Sequence, residues 1–451
     1  MFDIKIGNVP LSLANVQDQR QLQPREKIFK VWPEPLPDDH LQVFVTSTAG
    51  HVLRSMPPPD VKLSDEVIKE NINKELDMMR GMIKAFLKNP EPPTWEPPKN
   101  IATPSDHKFL SDLRIPCYHN GNPSLLFHDL YRQNDVEIKK IFGHGAHKCV
   151  DTNCALNTTS TRTSRFICNT SGSGKTRRML EGLTKFWGFY FVAAPDANGV
   201  GVRDLLVALE ELPRYNEWLS DLETVDIRVR PGQHAYNSQI VSRHLVKVLA
   251  ARIVVFQLFL ELAIEVDGEL QEKHKHTWLL FQLSDKAVPL SGNRHPFLRI
   301  ASCLRHARDE ALDGLVDRLD RIRREFLSGS HFVVGLDEAQ QASRMYPRSF
   351  ISSTNPQEFR SIIREISAVF TTNLPIKLVL SGTGMSLVEV QNSMTSGVSK
   401  PPDVELFHEL GMFDKWSEMK EFLEIYIPEF ILESYSGVRL QQRMREYLHG
   451  R

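Results

Sequence analysis

The chain has 451 residues, and its 55 lysines and arginines nearly balance its 56 aspartates and glutamates, for a net charge of −1. This balance gives no bulk electrostatic reason to expect nucleic-acid binding, and five cysteines do not indicate a disulfide framework. The length predicts two or three domains, and a hydrophobic fraction of 41% excludes wholesale disorder.

Proline marks the N-terminal region, because 14 of the 27 prolines precede residue 105. Residues 1–63 are expected to form a small element with a strand at Gln42–Val45. Residues 64–105 are expected to form a helical arm and a Pro-rich linker, with a helix from the N-cap Ser64 to Asn89 that Pro90 ends. We expect the linker to act as a spacer, so that a chain starting near Ile101 folds alone.

Neither a signal peptide nor a membrane span is indicated. Residues 1–7 lack a basic segment followed by an apolar one. The most apolar run, 253–260, lies between Arg252 and Glu261 and is too short to cross a bilayer, so it is read as a core helix.

A mixed lead-in segment, 106–160, contains four residues of the types that bind zinc. Their spacing is not a standard zinc-finger pattern, so a surface loop is favoured over a metal site. These residues are His144, His147, Cys149 and Cys154.

Residues 169–176, Asn-Thr-Ser-Gly-Ser-Gly-Lys-Thr, have the pattern of a phosphate-binding loop. A buried strand is predicted just before them at Arg165–Cys168, and a helix just after them. Lys175 is predicted to reach the β- and γ-phosphates of ATP, and Thr176 to bind Mg²⁺. The alternative is a Ser/Gly turn that only starts a helix. The predicted nucleotide contacts are Asn169, which replaces the usual glycine, and Ser171, Gly172, Ser173, Gly174, Lys175, Thr176 and Arg177.

A second strand is predicted at 188–195 and is followed by a long helical region, 202–327. Its helices are predicted at 202–212, 236–266, 268–283 and 297–327. We expect this region to be a helical insertion that forms a cap or a partner surface.

The apolar run Phe332–Leu336 predicts a buried parallel strand, and Asp337 and Glu338 follow it directly. Asp337 is predicted to hold Mg²⁺, and Glu338 to polarise the attacking water, as catalytic residues beside Lys175. The alternative is a strand that ends in a solvated acidic turn.

A third strand, Ile376–Leu380, leads to Ser381 and Thr383, which are candidates to sense the γ-phosphate. A simple Ser/Gly loop is the alternative. A helix is predicted at 356–370, where Arg360 and Arg364 are read either as arginine fingers or as surface residues. Residues 411–451 are expected to form part of a C-terminal helical lid, with Arg451 as a candidate phosphate contact.

Together these patterns predict an α/β fold, a P-loop NTPase with a parallel sheet and a large helical insertion, preceded by a small Pro-rich N-terminal region. The NTPase domain is expected to span 161–410. The predicted cofactors are ATP and Mg²⁺, and the predicted function is an ATPase switch. A non-hydrolysing nucleotide-gated interaction module and a small-molecule kinase remain alternatives.

Several segments of the sequence resemble the Crinkler effector family. The segments 168–190, 336–340 and 380–384 are similar to its phosphate loop and later motifs. The segments 109–117 and 123–128 resemble the part before its NTPase domain, and 29–35 and 39–45 resemble the end of its ubiquitin-like N-terminal domain.

The resemblance implies a remnant of a Crinkler-like N-terminal trafficking domain at 1–63, an NTPase domain of the AAA/STAND type, and secretion followed by action in the host nucleus. It also implies a host protein or nucleic acid as partner and allows a homo-oligomer. The Leu/Phe-Ala-Lys motif of the family's N-terminal domain is not recognisable, and no constellation of a nuclease is evident. Cleavage of DNA is therefore not carried over.

Overall fold

The structure is a computed structural model, and it divides the chain into two compact units, 1–62 and 63–451. The residues that it describes are 2–6, 9–12, 46–47, 64–98, 104–117, 121–130, 135–143, 164–169, 172–194, 200–283, 295–352, 355–371, 376–384, 405–407 and 416–448.

The first unit contains a three-stranded antiparallel sheet. Strand β1 (Phe2–Ile6) lies in the middle and pairs with β2 (Val9–Ser12) on one side and with β3 (Thr46–Ser47) on the other. The strand predicted at Gln42–Val45 lies outside the described residues.

The second unit is built on a five-stranded sheet in which all neighbouring strands are parallel, in the order β5-β6-β7-β4-β8. Its strands are β4 (Arg165–Cys168), β5 (Gly188–Val192), β6 (Phe332–Asp337), β7 (Ile376–Gly382) and β8 (Glu405–Phe407). The predicted parallel sheet and α/β class are confirmed. The strand order places β7 between β4, which precedes the phosphate-loop motif, and β6, which ends at Asp337.

Helices cover both faces of this sheet. In chain order they are α1 (Asp65–Lys88), α2 (Pro104–Asp112), α3 (Asp135–Phe142), α4 (Lys175–Lys185), α5 (Asp204–Glu210), α6 (Arg230–Asp267), α7 (Lys273–Leu283), α8 (Pro296–Cys303), α9 (Asp309–Phe326), α10 (Ala339–Arg344), α11 (Ile363–Thr371), α12 (Trp416–Tyr426), α13 (Glu429–Leu432) and α14 (Tyr435–Leu448). Within the described residues, no helix is long and apolar enough to span a membrane.

Alternate residues of each strand belong to two different hydrophobic cores, as the twofold period of a strand requires. Phe166, Phe332 and Leu380 pack into the larger core with α6, α9 and α11. Ile167 and Val379 pack into the smaller core with α3, α4 and α7. The face of the sheet that carries α4 is therefore the face on which odd-numbered residues of β6 and β7 lie.

The region read from the sequence as an arm and a spacer is packed into the second unit. The helix α1 begins as predicted, with the Ser64 side chain accepting a hydrogen bond from the Val67 N–H at 3.4 Å. However, Met79 and Ile83 of α1 are fully buried in the larger core. The Pro-rich segment is also fixed, because the Trp95 N–H donates to the Ile115 carbonyl at 2.7 Å. The expectation that a chain starting near Ile101 folds alone is therefore not supported.

Two predicted helices are shorter than expected. The one at 297–327 is divided into α8 and α9 by a 3₁₀ turn at Leu304–His306, and acidic residues at the start of α9 favour a new helix there. The one at 356–370 is helical only from Ile363, because the preceding residues fold back so that Ile351 and Phe359 form an antiparallel bridge.

Candidate functional site

The carboxyl ends of β4, β6 and β7 lie side by side. In the register of the sheet, Leu380 of β7 pairs with Phe166 of β4 and with Leu336 of β6. The residues that follow these positions therefore meet at one edge, where open parallel sheets bind ligands.

The described part of the glycine-rich turn after β4 contains two glycines with left-handed backbone. Gly172 and Gly174 both have φ of +81°, a left-handed conformation that glycine adopts without strain. The helix α4 then begins at Lys175 without a side-chain cap, so its first N–H groups are available to an anion. The hydroxyl oxygen of Ser173 is buried and, in the part of the chain that the structure describes, has no hydrogen-bond partner. Ser171 lies outside the described residues.

Lys175 is largely buried, with 7% of its surface exposed. Its Nζ donates a hydrogen bond to the Asn169 carbonyl at 3.0 Å. Burial lowers the pKa of Lys175, and the negative charges of Asp337 and Glu338 raise it in part. The loop therefore presents a desolvated ammonium group next to two carboxylates. Thr176, the next residue, is partly exposed at the start of α4.

Asp337 is the most constrained acidic group of this edge. It is 2% exposed and accepts hydrogen bonds from three neutral donors. Oδ1 accepts from the Ser381 hydroxyl at 2.6 Å and from the Glu338 N–H at 2.9 Å, and Oδ2 accepts from the Tyr190 hydroxyl at 3.1 Å. Among the described residues, no lysine or arginine forms an ion pair with Asp337.

The next residue, Glu338, has a left-handed backbone with φ of 55°. One of its carboxylate oxygens accepts a hydrogen bond from Nε2 of Gln340. Oε1 of Gln340 in turn accepts from the Thr383 N–H at 3.0 Å. Gln340 therefore connects the candidate base on β6 with the loop after β7. Left-handed backbone is costly for a non-glycine residue and is concentrated at functional sites.

The helix α4 lies directly against β6. A Cβ atom at Gly335 would be 2.5 Å from the Met179 sulfur, so any larger residue would require the Met179 side chain or α4 to shift. Lys175 and Met179 are one turn apart on α4, and Asp337 follows Gly335 on the same face of β6. The missing side chain at Gly335 thus helps to bring the lysine and the aspartate to the same place.

Several predicted residues have other contacts than expected. Ser381 is completely buried and holds Asp337, which is a positioning contact. The guanidinium of Arg177 donates to the Glu181 carboxylate at 2.6 Å and to the carbonyls of Leu125, Leu126, His128 and Asp129. Its side chain therefore anchors the segment 125–129 on α4. A nucleotide contact through the Arg177 backbone stays a prediction.

Arg360, read as a possible arginine finger, is partly buried and its side chain contacts other residues of the chain. Its Nη2 lies 2.5 Å from Oε1 of Glu365, and its Nε donates to the Ile351 carbonyl at 2.8 Å. The four candidate zinc ligands at 144–154 and Arg451 lie outside the described residues. Across the ranges that the structure describes, no group of three or more metal-binding side chains occurs.

Sequence reasoning missed Tyr190 and Gln340. Tyr190 reads as one apolar member of a buried strand, because the sequence does not say that β5 is the neighbour of β6. Gln340 carries a usable signal, since it lies two residues beyond Glu338 at the start of α10. A polar side chain there is placed to reach the loop after the adjacent strand.

The donor set at Asp337 fits Mg²⁺ better than a metal that needs several protein ligands. Mg²⁺ is commonly bound by one or two carboxylates together with phosphate oxygens and water. Asp337 and Thr176, together with the phosphates of a nucleotide, would supply such a set. Comparisons with protein-family models, with curated proteins and with solved structures found no match to this chain.

Proposed function

We propose that the second unit is a P-loop NTPase domain that binds Mg²⁺ and ATP at the carboxyl edge of its sheet, and that ATP hydrolysis acts as a switch. The observation that carries the proposal is the buried Asp337 carboxylate, which has three neutral donors and no ion pair within the described ranges. The Lys175 ammonium group is near this carboxylate without forming an ion pair with it, so Asp337 can also bind a metal cation such as Mg²⁺.

Two further observations support ATP as the source of the remaining Mg²⁺ ligands. The two left-handed glycines and the uncapped start of α4 suit a polyphosphate, and Lys175 supplies a positive charge to its outer phosphates. The position of β7 between β4 and β6 is the arrangement of additional-strand NTPases, in which this middle strand carries the residues that respond to the γ-phosphate.

Hydrolysis requires a base that can accept a proton from water, and Glu338 is the candidate. Its hydrogen bond to Gln340 ties it to the Thr383 backbone, so a ligand that moves the loop after β7 would also move Glu338. The same bond favours the second candidate function, a nucleotide-gated interaction module that does not hydrolyse ATP. A Glu338 carboxylate that accepts a hydrogen bond from Gln340 is less able to accept a proton from water.

The resemblance to Crinkler effectors supports the wider part of the proposal, namely secretion, action in the host nucleus and a host protein or nucleic acid as partner. This part rests on the quoted sequence phrases and not on the geometry of the site.

The experiment compares the purified chain with Lys175→Ala and Glu338→Gln by titration calorimetry with Mg²⁺-ATP and by phosphate release. Lys175→Ala is expected to abolish binding, since a charge-assisted contact contributes about 1.5–3 kcal/mol and more when buried. Lys185→Ala, at the other end of α4, is the matched control and should bind as the original chain does.

Glu338→Gln separates the two candidate functions. An ATPase predicts that this variant binds ATP normally and stops releasing phosphate, because an amide does not accept the proton. If the original chain binds ATP and releases no phosphate, the interaction module is the correct reading. Unchanged ATP affinity in Lys175→Ala would overturn the nucleotide site itself.

A further inference from the structure

A buried lysine of α6 has no hydrogen-bond or ion-pair partner in the part of the chain that is described. Lys247 of α6 is 7% exposed, whereas lysine is almost never fully buried unless it is paired. Within those ranges it forms no hydrogen bond and no ion pair. Burial and the neighbouring charge of Arg243 lower the pKa of Lys247 to about 8. The ammonium group is therefore held in a place that disfavours its charge.

Two arginines stand beside Lys247, and both are fixed in position. Nε of Arg243 lies 3.1 Å from a carboxylate oxygen of Asp309, and its Nη2 donates to the Ala307 carbonyl at 3.0 Å. Nη2 of Arg305, from the 3₁₀ turn after α8, lies 3.1 Å from a carboxylate oxygen of Glu211. The Arg243 and Arg305 side chains are 39% and 33% exposed, so a small ligand can reach them.

A histidine completes the cluster. His244, beside Arg243 on α6, is 5% exposed, and its Nε2 is buried without a hydrogen-bond partner in the described chain. Burial and the charges of Lys247 and Arg243 lower the pKa of His244 to about 3. The ring is therefore neutral at physiological pH, and a neutral imidazole can offer an N–H to an anion.

The charges of this cluster do not balance. Its carboxylates, Glu211 and Asp309, are outnumbered by cations from α6 and from the 3₁₀ turn after α8. These cations are Arg243, Lys247 and Arg305. Three cations against two carboxylates leave an excess of one positive charge, which favours an anion as ligand.

We propose that Lys247, His244, Arg243 and Arg305 form a binding site for a phosphate-bearing small molecule. The buried lysine and histidine form its closed end, and the two arginines form its open side. Planar guanidinium groups bind phosphate oxygens with paired N–H donors, and an ammonium group adds a compact charge. A phosphate group supplies the negative charge and the acceptors that the cluster lacks.

The direction of α6 places this site towards the carboxyl edge of the sheet. On α6, Phe256 packs against Phe332 at the start of β6, and Arg252 reaches the Tyr190 carbonyl further along β5. Residues 243–247 continue in the same direction, so they lie towards the carboxyl edge of the sheet. The site uses no residue of the phosphate loop and does not depend on the proposed ATPase activity.

The test is titration calorimetry with inorganic phosphate, pyrophosphate and glycerol 3-phosphate, on the full chain carrying Lys175→Ala so that the phosphate loop does not contribute. We expect one bound anion per chain. Lys247→Met, added to this chain, is expected to weaken binding about tenfold or more, since it removes one charge-assisted contact. Lys247→Arg should retain most of the affinity.

Lys69→Met on the exposed face of α1 is the matched control and should leave the affinity unchanged. Equal affinities for phosphate and its glycerol ester would indicate recognition of the phosphoryl group alone, and a tighter ester would indicate an organic phosphate as ligand. Absence of binding in the Lys175→Ala chain, or equal binding with and without Lys247→Met, would overturn the site. Unfolding temperatures of all variants show whether each remains folded.

Discussion

Two buried aspartates of this protein, Asp204 and Asp337, have opposite surroundings. Each is 2% exposed. Asp204 of α5 receives a paired contact from Arg252, with Nε and Nη2 each 2.7 Å from a carboxylate oxygen. Asp337 receives only neutral donors, from Tyr190, Ser381 and the backbone of Glu338.

The difference separates a charge that is paired within the chain from a charge that has hydrogen bonds but no ion pair among the described residues. The Arg252 guanidinium also donates to the Tyr190 carbonyl at 2.7 Å and lies over the rings of Phe191 and Phe297. The pair with Asp204 is therefore complete within the chain. Asp337 has its hydrogen bonds and the nearby charge of Lys175 but no ion pair among the described residues, and Lys247 is the corresponding case for a cation.

The largest expected effect tests this contrast directly. Asp204→Asn leaves Arg252 as an uncompensated buried charge, so we expect a loss of about 3–5 kcal/mol in the free energy of unfolding. Asp337→Asn removes a buried charge that has no ion-pair partner among the described residues, and because Lys175 keeps the nearby charge of Glu338, the loss should be much smaller. Urea denaturation of both variants measures the two effects. Equal losses would contradict the contrast.

Lys247→Met should stabilise the free protein at pH 7. The pKa of Lys247 is lowered from 10.5 to about 8, so the unfolded chain binds more protons between these pH values. The free energy of unfolding therefore rises as pH increases from 8 to 10.5, and below pH 8 the buried charge costs on the order of 3 kcal/mol.

Denaturation in phosphate-free buffer from pH 7 to pH 10 measures this effect. The charged and titratable groups around Lys247 are Arg243, His244, Glu211, Arg305, His306 and Asp309, with Tyr215 packed on His244, and they remain in the variant. The stability gain should shrink towards pH 10. A gain that is independent of pH would assign it to packing instead of charge.

Gly335→Ala should disturb the Asp337 region and not the Asp204 pair. The added methyl group meets the Met179 sulfur, and the overpacking should cost about 1–3 kcal/mol while it pushes α4 away from β6. ATP binding should weaken as Lys175 moves from Asp337. Gly232→Ala, where the new methyl group meets nothing within 4 Å, is the control. Unchanged ATP affinity and stability in Gly335→Ala would show that the close approach has no role.

Tyr190→Phe should give the smallest change. It removes one neutral donor from Asp337 and should cost about 0.5–1.5 kcal/mol in stability. Because the carboxylate is then less well oriented, the concentration of Mg²⁺ needed for half-maximal ATP binding should rise several-fold. A change in stability without a change in Mg²⁺ dependence would make the Tyr190 hydroxyl purely structural.

The sequence predicted the parts of the site that depend on local patterns. Gly172, Gly174 and Lys175 follow a strand directly, and Asp337 ends an apolar run, so their positions could be inferred without tertiary information. The parts that depend on strand order were not predictable. Tyr190 reaches Asp337 only because β5 is the neighbour of β6.

The helical regions show the same limit. The apolar stripe of α1 indicates a buried face but not its partner, so the sequence suggests an arm, whereas Met79 and Ile83 belong to the main core. From the sequence, Arg252 could be interpreted only as the charge that bounds the apolar run 253–260. Its role as the partner of Asp204 depends on a contact between residues 48 positions apart.

The order of the strands also has a consequence for biosynthesis. Arg165 of β4 pairs with Val379 of β7 and with Glu405 of β8, so more than 200 residues separate β4 from either partner. The ribosome adds about 5–20 residues per second, and contacts between distant residues form slowly. The strand β4 is therefore synthesised early, but it cannot pair until its neighbours β7 and β8 have been translated. During that interval the apolar residues Phe166 and Ile167 lack their strand neighbours, and chaperones that shield such segments should associate with ribosomes that have not yet translated β7.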